Sequence, residues 1–241
     1  MKIAAIDSSG LVASVAILDG DTILAQYSVN YKKTHSQTLL PMLAEITQMT
    51  EFQMTDLDAI AIAKGPGSFT GLRIGSATAK GMGQALDKPV VEIPTLDAMA
   101  FQLYGVERVI CPMMDARRGQ VYTGLYCFKR SGEKTNFCVL EPQCAVSVEE
   151  IITKINELGR PVIYLGDGVP VHEEILRERT TVDYEFAPPC SNRQNAAALA
   201  TLAKDYYVEG RFVSAAEHRP DYLRLSQAER ERLEKEGKKD V

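Results

Sequence analysis

Three groups of residues have types and spacings that chemistry could use. The first is Lys64-Gly65-Pro66-Gly67-Ser68-Phe69-Thr70-Gly71-Leu72-Arg73-Ile74-Gly75, a glycine-rich turn running into a helix-like stretch. N–H groups exposed at such a helix start can hold an anion. The run lacks the Gly-Lys-Ser or Gly-Lys-Thr close of a Walker loop, and Gly-Pro-Gly is also ordinary turn chemistry. The second is Asp7-Ser8-Ser9-Gly10, where a strand-end carboxylate and two hydroxyls could hold a hydrated cation and a phosphate. Asp7, Ser8 and Ser9 are therefore the candidate nucleotide-site residues, although any tight turn uses the same types. The third pairs Met114-Asp115-Ala116-Arg117-Arg118 with Gly166-Asp167-Gly168, which offer opposed acids without a complete nucleotide-site pattern. Lys32, Lys33, Arg117 and Arg118 are the candidate contacts to an anion.

Other chemistries lack their residues. The three histidines, His35, His172 and His218, show no HxxxH or HExxH spacing and read as caps or surface residues. The five cysteines form an odd set without a CxxC pair, as expected of reduced structural thiols. No GxSxG elbow is present for a serine hydrolase. The expectation is a chain with no catalytic residue, metal or cofactor of its own.

The elements that must position these groups are legible in the periodicity. Residues 2–7, 12–18 and 22–29 read as strands, the last two joined at Asp19-Gly20. A helix is expected over 35–50, capped by Thr34, with Pro41 as its true first turn or a kink. Strand 58–63, helix 69–86, strand 90–93 and helix 95–103 follow. This order implies a mixed five-stranded sheet with crossover helices, an actin-like or RNase H-like α/β lobe. From residue 105 the pattern restarts, with strands 109–114, 119–128, 137–145 and 161–165 and helices 147–158 and 195–207, giving a second, reduced α/β lobe. The expected organisation is 1–104, 105–225 and a charged tail, 226–241, opened by the capping box Ser226-Gln227-Ala228-Glu229.

Within helix 69–86, Gly71, Gly75, Ala79 and Gly83 fall at i, i+4 spacing and make a smooth strip. Each helical glycine costs roughly 0.5–1 kcal/mol relative to alanine, so a close neighbour must offset it. That neighbour is either internal, the 35–50 helix or the sheet, or it belongs to another chain.

The chain has 241 residues, 45% of them hydrophobic and 24% charged, enough to bury a core without staples. Its net charge of −5 is the wrong sign for gripping nucleic acid unaided. It has no run apolar enough for a membrane helix and no signal-peptide pattern at its start, so the default address is the cytoplasm.

The glycine-rich run closely resembles the signature of the TsaB (YeaZ) family. So do Asp7-Ser8-Ser9, His35-Ser36-Gln37 with Leu39-Leu40-Pro41, Thr95-Leu96-Asp97-Ala98-Met99-Ala100, Met114 to Tyr122, Gly166-Asp167-Gly168, Tyr222-Leu223-Arg224 and Ser226 to Glu229. The resemblance implies the two-lobe ASKHA fold and a role in making threonylcarbamoyladenosine beside the tRNA anticodon. There it implies a non-catalytic, activating subunit that docks to the catalytic paralogue TsaD, with the ATPase TsaE completing the complex and a homodimer when the partner is absent. TsaD holds a metal through an HxxxH pair; the matching positions here are Thr95 and Met99. The docking face it implies is Leu39, Met42, Leu43 and Ile46 with Gly71, Gly75, Ala79, Met82 and Gly83. Contact with tRNA would be indirect, through a composite surface to which Lys32, Lys33, Arg117 and Arg118 contribute. The alternative is an ASKHA phosphotransferase or peptidase that acts alone.

Overall fold

The computed structural model describes residues 1–224. The tail 226–241, including its capping box, lies outside the described residues.

Strands β1 (Lys2–Asp7), β2 (Val12–Asp19), β3 (Thr22–Asn30), β4 (Ala59–Gly65) and β5 (Val90–Pro94) form one sheet in the order β3-β2-β1-β4-β5. β1 pairs antiparallel with β2 and parallel with β4, so the near-continuous apolar runs of β1 and β4 lie at its centre, covered on both faces. Helices α1 (His35–Met49) and α2 (Phe69–Leu86) cover one face. There Leu39, Met42, Leu43, Ile46 and Ala79 join Ala4, Ile6, Val15, Ile60 and Ile62 in a single core. α1 runs through Pro41, and Thr34 holds the N-cap position without a side-chain cap bond.

The second sheet contains β6 (Val109–Arg117), β7 (Gln120–Ser131), β8 (Lys134–Ser147), β9 (Val162–Leu165) and β10 (Tyr184–Phe186), in the order β10-β9-β6-β7-β8. Read from the other edge, this repeats the first sheet strand for strand. Helices α4 (Val148–Leu158) and α5 (Gly168–Arg179) take the places that α1 and α2 hold in the first unit. The second lobe is therefore complete in strands and not reduced. α5 and β10 escape the sequence reading for physical reasons. Beyond its glycine N-terminus, α5 buries only Val169 and Leu176 and carries Pro170 in its first turn, so its apolar stripe is thin. β10 is three residues long and has no alternation to display.

The expected 105–225 unit also does not keep its last helix. α6 (Ala196–Val208) returns to the first sheet and covers the face opposite α1 and α2, packing Ala196, Leu199, Ala200, Leu202 and Ala203 against Ile3, Ala5, Ala16, Ala61 and Ala63. Alanines on both sides let the helix lie close to the strands. Its start is fixed by Asn195, which accepts from the N–H groups of Ala197 and Ala198, and by Ser14 Oγ, which accepts from Ala196 N at 3.0 Å. The two units meet through α3 (Thr95–Phe101), where buried Asp97 accepts hydrogen bonds from the hydroxyls of Tyr126 (2.9 Å) and Tyr206 (3.2 Å).

After α6 the chain runs back over the first unit as a strap. Val213 pairs with Val90, Lys80 Nζ donates to the carbonyls of Ala216 and His218, and Asp221 N donates to Lys64 O at 2.7 Å. His218, expected as a cap or surface residue, is buried with its Nδ1 2.7 Å from Glu92 Oε1.

Candidate functional site

The carboxyl ends of the central strands of both sheets open onto one cleft of about 790 Å³. In a fold of this kind that is where a ligand would sit. On the first-lobe side lie the β1–β2 turn and the start of α2. Ser68 caps α2 by accepting from Gly71 N at 3.3 Å. Gly65, at φ +126°, sits where any Cβ would strike the carbonyl of Asp221, which explains why this turn uses glycine.

Of Asp7, Ser8 and Ser9 only Ser9 lines the cleft, and its hydroxyl, N–H and carbonyl are already hydrogen-bonded inside the protein. All three are buried. Asp7 Oδ1 accepts from Ser9 N (2.9 Å) and Ser9 Oγ (2.6 Å), while Oδ2 has no partner among the described residues. Burial pushes the Asp7 carboxyl above its ordinary range, against the Ser9 hydrogen bonds and the nearby His35 that pull it down. Ser8 Oγ donates to Gly71 O at 2.9 Å, and the Ser9 carbonyl accepts from Ser68 N at 2.6 Å. His35 Nε2 donates to Gly10 O at 2.9 Å, closing the same turn from α1. The polar atoms of the turn thus hold the first helix starts in place.

The smooth strip of α2 faces that turn and the sheet. A Cβ on Gly71 would meet Ser8 O, one on Gly75 would meet Ser8 Oγ, and one on Gly83 would lie 2.7 Å from the Ala215 methyl. Ala79 is fully buried. The neighbour is internal, and the docking face expected on Gly71, Gly75, Ala79 and Gly83 is corrected accordingly. Leu39, Met42, Leu43 and Ile46 are 1–4% exposed and belong to the core, so they offer no area to a partner. Met82 is half-buried against the same core. The outer face of α2 instead carries Thr70, Arg73, Ala77, Gly81, Gln84 and Ala85. Beside it α1 exposes Leu40 (55%) and Met49 (74%).

On the second-lobe side, Arg117 and Arg118 occupy a left-handed turn at φ 62° and 56°, followed by Gly119 at φ 70°. Asp115 Oδ1 accepts from Arg117 N at 2.8 Å and shapes that turn. Arg117 and Lys33 both line the cleft, whereas Lys32 and Arg118 are exposed residues beside those two. Asp167 also faces the cleft, its carboxyl raised by burial and by the charge of Asp115, with Arg193 and backbone hydrogen bonds opposing. Gly166, at φ +109°, lies against Met113 O, where any Cβ would clash.

Residue-by-residue reading missed the group that spans the cleft. Tyr222 packs on Phe69 with ring centroids 4.6 Å apart, the Arg73 guanidinium lies 4.0 Å from the Phe69 ring, and Arg224 donates to Ala116 O at 2.9 Å. The Tyr222–Phe69 and Arg224–Ala116 contacts join segments about 110 to 150 positions apart in sequence, so no local spacing announces them; only the motif Tyr222-Leu223-Arg224 marks one partner.

The family described as TsaD: tRNA N6-adenosine threonylcarbamoyltransferase matches residues 22–232. A Bacillus subtilis (strain 168) protein, tRNA threonylcarbamoyladenosine biosynthesis protein TsaB, is 33% identical over 237 residues, covering 97% of this chain and 99% of its own. The chain belongs to the TsaB family. The Escherichia coli (strain K12) protein of the same name is 30% identical over 233 residues, covering 93% and 95% of the two chains. Among solved structures, YeaZ from Pseudomonas aeruginosa superimposes with a TM-score of 0.75 at 25% identity, covering 92% of this chain and all of that one. The architecture is the two-lobed actin-like, RNase H-like ASKHA fold.

The metal site that the resemblance implies for a TsaD paralogue does not fit the residues present. Thr95 and Met99 offer a hydroxyl and a thioether and are both buried in α3. Among the described residues no three His, Cys, Asp or Glu side chains gather into a metal-binding group.

Proposed function

We propose that this chain is the non-catalytic, activating subunit of a tRNA threonylcarbamoyladenosine transferase, docking to a TsaD-like paralogue. One observation carries the reading: the Asp7-Ser8-Ser9 turn, where a nucleotide-using relative would need free polar groups, spends most of them on bonds within the turn and to the start of α2. The TsaB relatives support the pathway, and the match to TsaD supports a pseudo-symmetric pairing of two similar folds. The outer face of α1 and α2 is the docking surface in this reading. Both helices cover the same side of the first sheet, so their exposed faces point the same way. Small residues at Ala77, Gly81 and Ala85 allow close approach, with Leu40 adding apolar area. The same face would serve a homodimer when the paralogue is absent, a TsaE-type ATPase would join the assembly, and the complex would act in the cytoplasm with tRNA held mainly by the partner.

The test is reconstitution. Purified TsaD and TsaE should modify tRNA in the presence of this chain and fall to a small residual rate without it. Equal rates with and without the chain overturn the reading. Calorimetry with ATP and magnesium on the chain alone tests the phosphotransferase alternative, because a free-standing kinase-like enzyme must bind its nucleotide unaided.

A further inference from the structure

In the hairpin formed by β7 and β8, Cys127 and Cys138 stand directly opposite one another. All five thiols of the chain are free. Residues opposed in an antiparallel ladder have Cα atoms ~4.5 or ~5.5 Å apart, and both separations lie within the range a disulfide spans. Opposed side chains also leave the sheet on the same face. The neighbouring pair Phe128 and Phe137 and the stacked rings of Tyr126 and Phe137, 5.5 Å apart, pin this register from the other face. A slip of one residue would turn those rings away from their cluster, so the two thiols cannot drift out of register. Cys127 is buried, whereas Cys138 is only half-buried and open to a small reagent. The turn beyond them, Ser131 to Lys134, is exposed on every residue, leaving the hairpin end free to draw its strands slightly together.

We infer that Cys127 and Cys138 form a reversible thiol–disulfide pair, with a low-molecular-weight disulfide as the oxidant. The Cys138 thiolate attacks one sulfur of that disulfide, and a small thiolate leaves. The Cys127 thiolate then attacks the Cys138 sulfur of the mixed disulfide, and the second small thiolate leaves. Two protein thiols are oxidised, one small disulfide is reduced to two thiols, and the two protein protons end on those thiols. The product encloses residues 128–137 in a covalent ring at the outer end of the second sheet.

The experiment treats the full chain with oxidised glutathione, blocks remaining thiols with N-ethylmaleimide and maps the peptides by mass. The expected result is one bridge between Cys127 and Cys138, with the loss of two hydrogen atoms, in a chain that stays monomeric under denaturing conditions and recovers both thiols on reduction. Cys138→Ala should lose the bridge and leave Cys127 unmodified. Cys127→Ala should instead trap glutathione on Cys138. Recovery of both residues as alkylated thiols while exposed Cys190 carries glutathione, or glutathione remaining on Cys138 of the unsubstituted chain, overturns the inference.

Discussion

Ser8 and Gly75 occupy one space: the serine hydroxyl, donating to Gly71 O at 2.9 Å, lies where the first side-chain carbon of residue 75 would be. The absence of a side chain at residue 75 thus serves the turn after β1. Gly75→Leu should lower stability by about 3 kcal/mol, the upper end of overpacking costs, or prevent folding. Urea unfolding checks it, and an unchanged midpoint would place the strip back at the surface.

Gly81 lies on the same helix facing open space, with no atom within 4 Å of an added Cβ. Gly81→Ala should raise stability by roughly 0.5–1 kcal/mol through helix propensity alone. The contrast with Gly75 is the cleanest measure of which face of α2 is internal.

Partner docking should respond in the opposite order. Ala77→Arg and Gly81→Arg place a long charged chain on the exposed face and should leave the thermal midpoint of the free chain nearly unchanged. Each should reduce co-purification with a TsaD-like partner at least tenfold, the equivalent of about 1.4 kcal/mol. Undiminished recovery of the complex would move the docking surface elsewhere.

Acid–base behaviour divides the buried carboxyl groups into two kinds. Asp97 is raised by burial, against the tyrosine hydroxyls that donate to it, and Asp7 is raised by burial against Ser9. In such groups the folded chain keeps a proton that the unfolded chain releases. Their contribution is therefore full at low pH and is lost as pH rises from the ordinary Asp value, ~3.9, through the raised folded value. Asp7→Asn should flatten this part of the slope in a pH series of urea midpoints.

Glu92 has the other sign. Burial pushes it up, but hydrogen bonds from His218 and Arg219 N and the charge of Lys64 bring it below its ordinary range. Its contribution is present above ~4.3 and is lost as pH falls through the lower folded value. Glu92→Gln should cost about 1–2 kcal/mol at neutral pH and increase proteolytic cutting in the strap around His218. A strap equally resistant in the variant would show that Val213 and Lys80 hold it without the Glu92–His218 contact.

The sequence disclosed local order more fully than long-range partnership. The first sheet's hairpin followed from Asp19-Gly20, and α1, α2 and the longer strands of both sheets from apolar patterning, while α5 was hidden by a stripe built on Val169 and Leu176. The i, i+4 glycines defined a face of α2 but could not say what covered it, since the answer, Ser8, lies more than 60 positions upstream. The cleft's aromatic contact between Phe69 and Tyr222 has the same character. Pattern names the elements; the strap and the interior neighbours emerge only when distant segments meet.

Helix α6 gives the order of synthesis a structural meaning. The face of the first sheet carrying Ile3, Ala5 and Ala61 is closed by residues 196–203. A nascent chain leaving the ribosome can therefore cover that face only after residues 196–203 have emerged, and the first sheet must wait, with one side bare, for a helix translated about a hundred residues after its last strand.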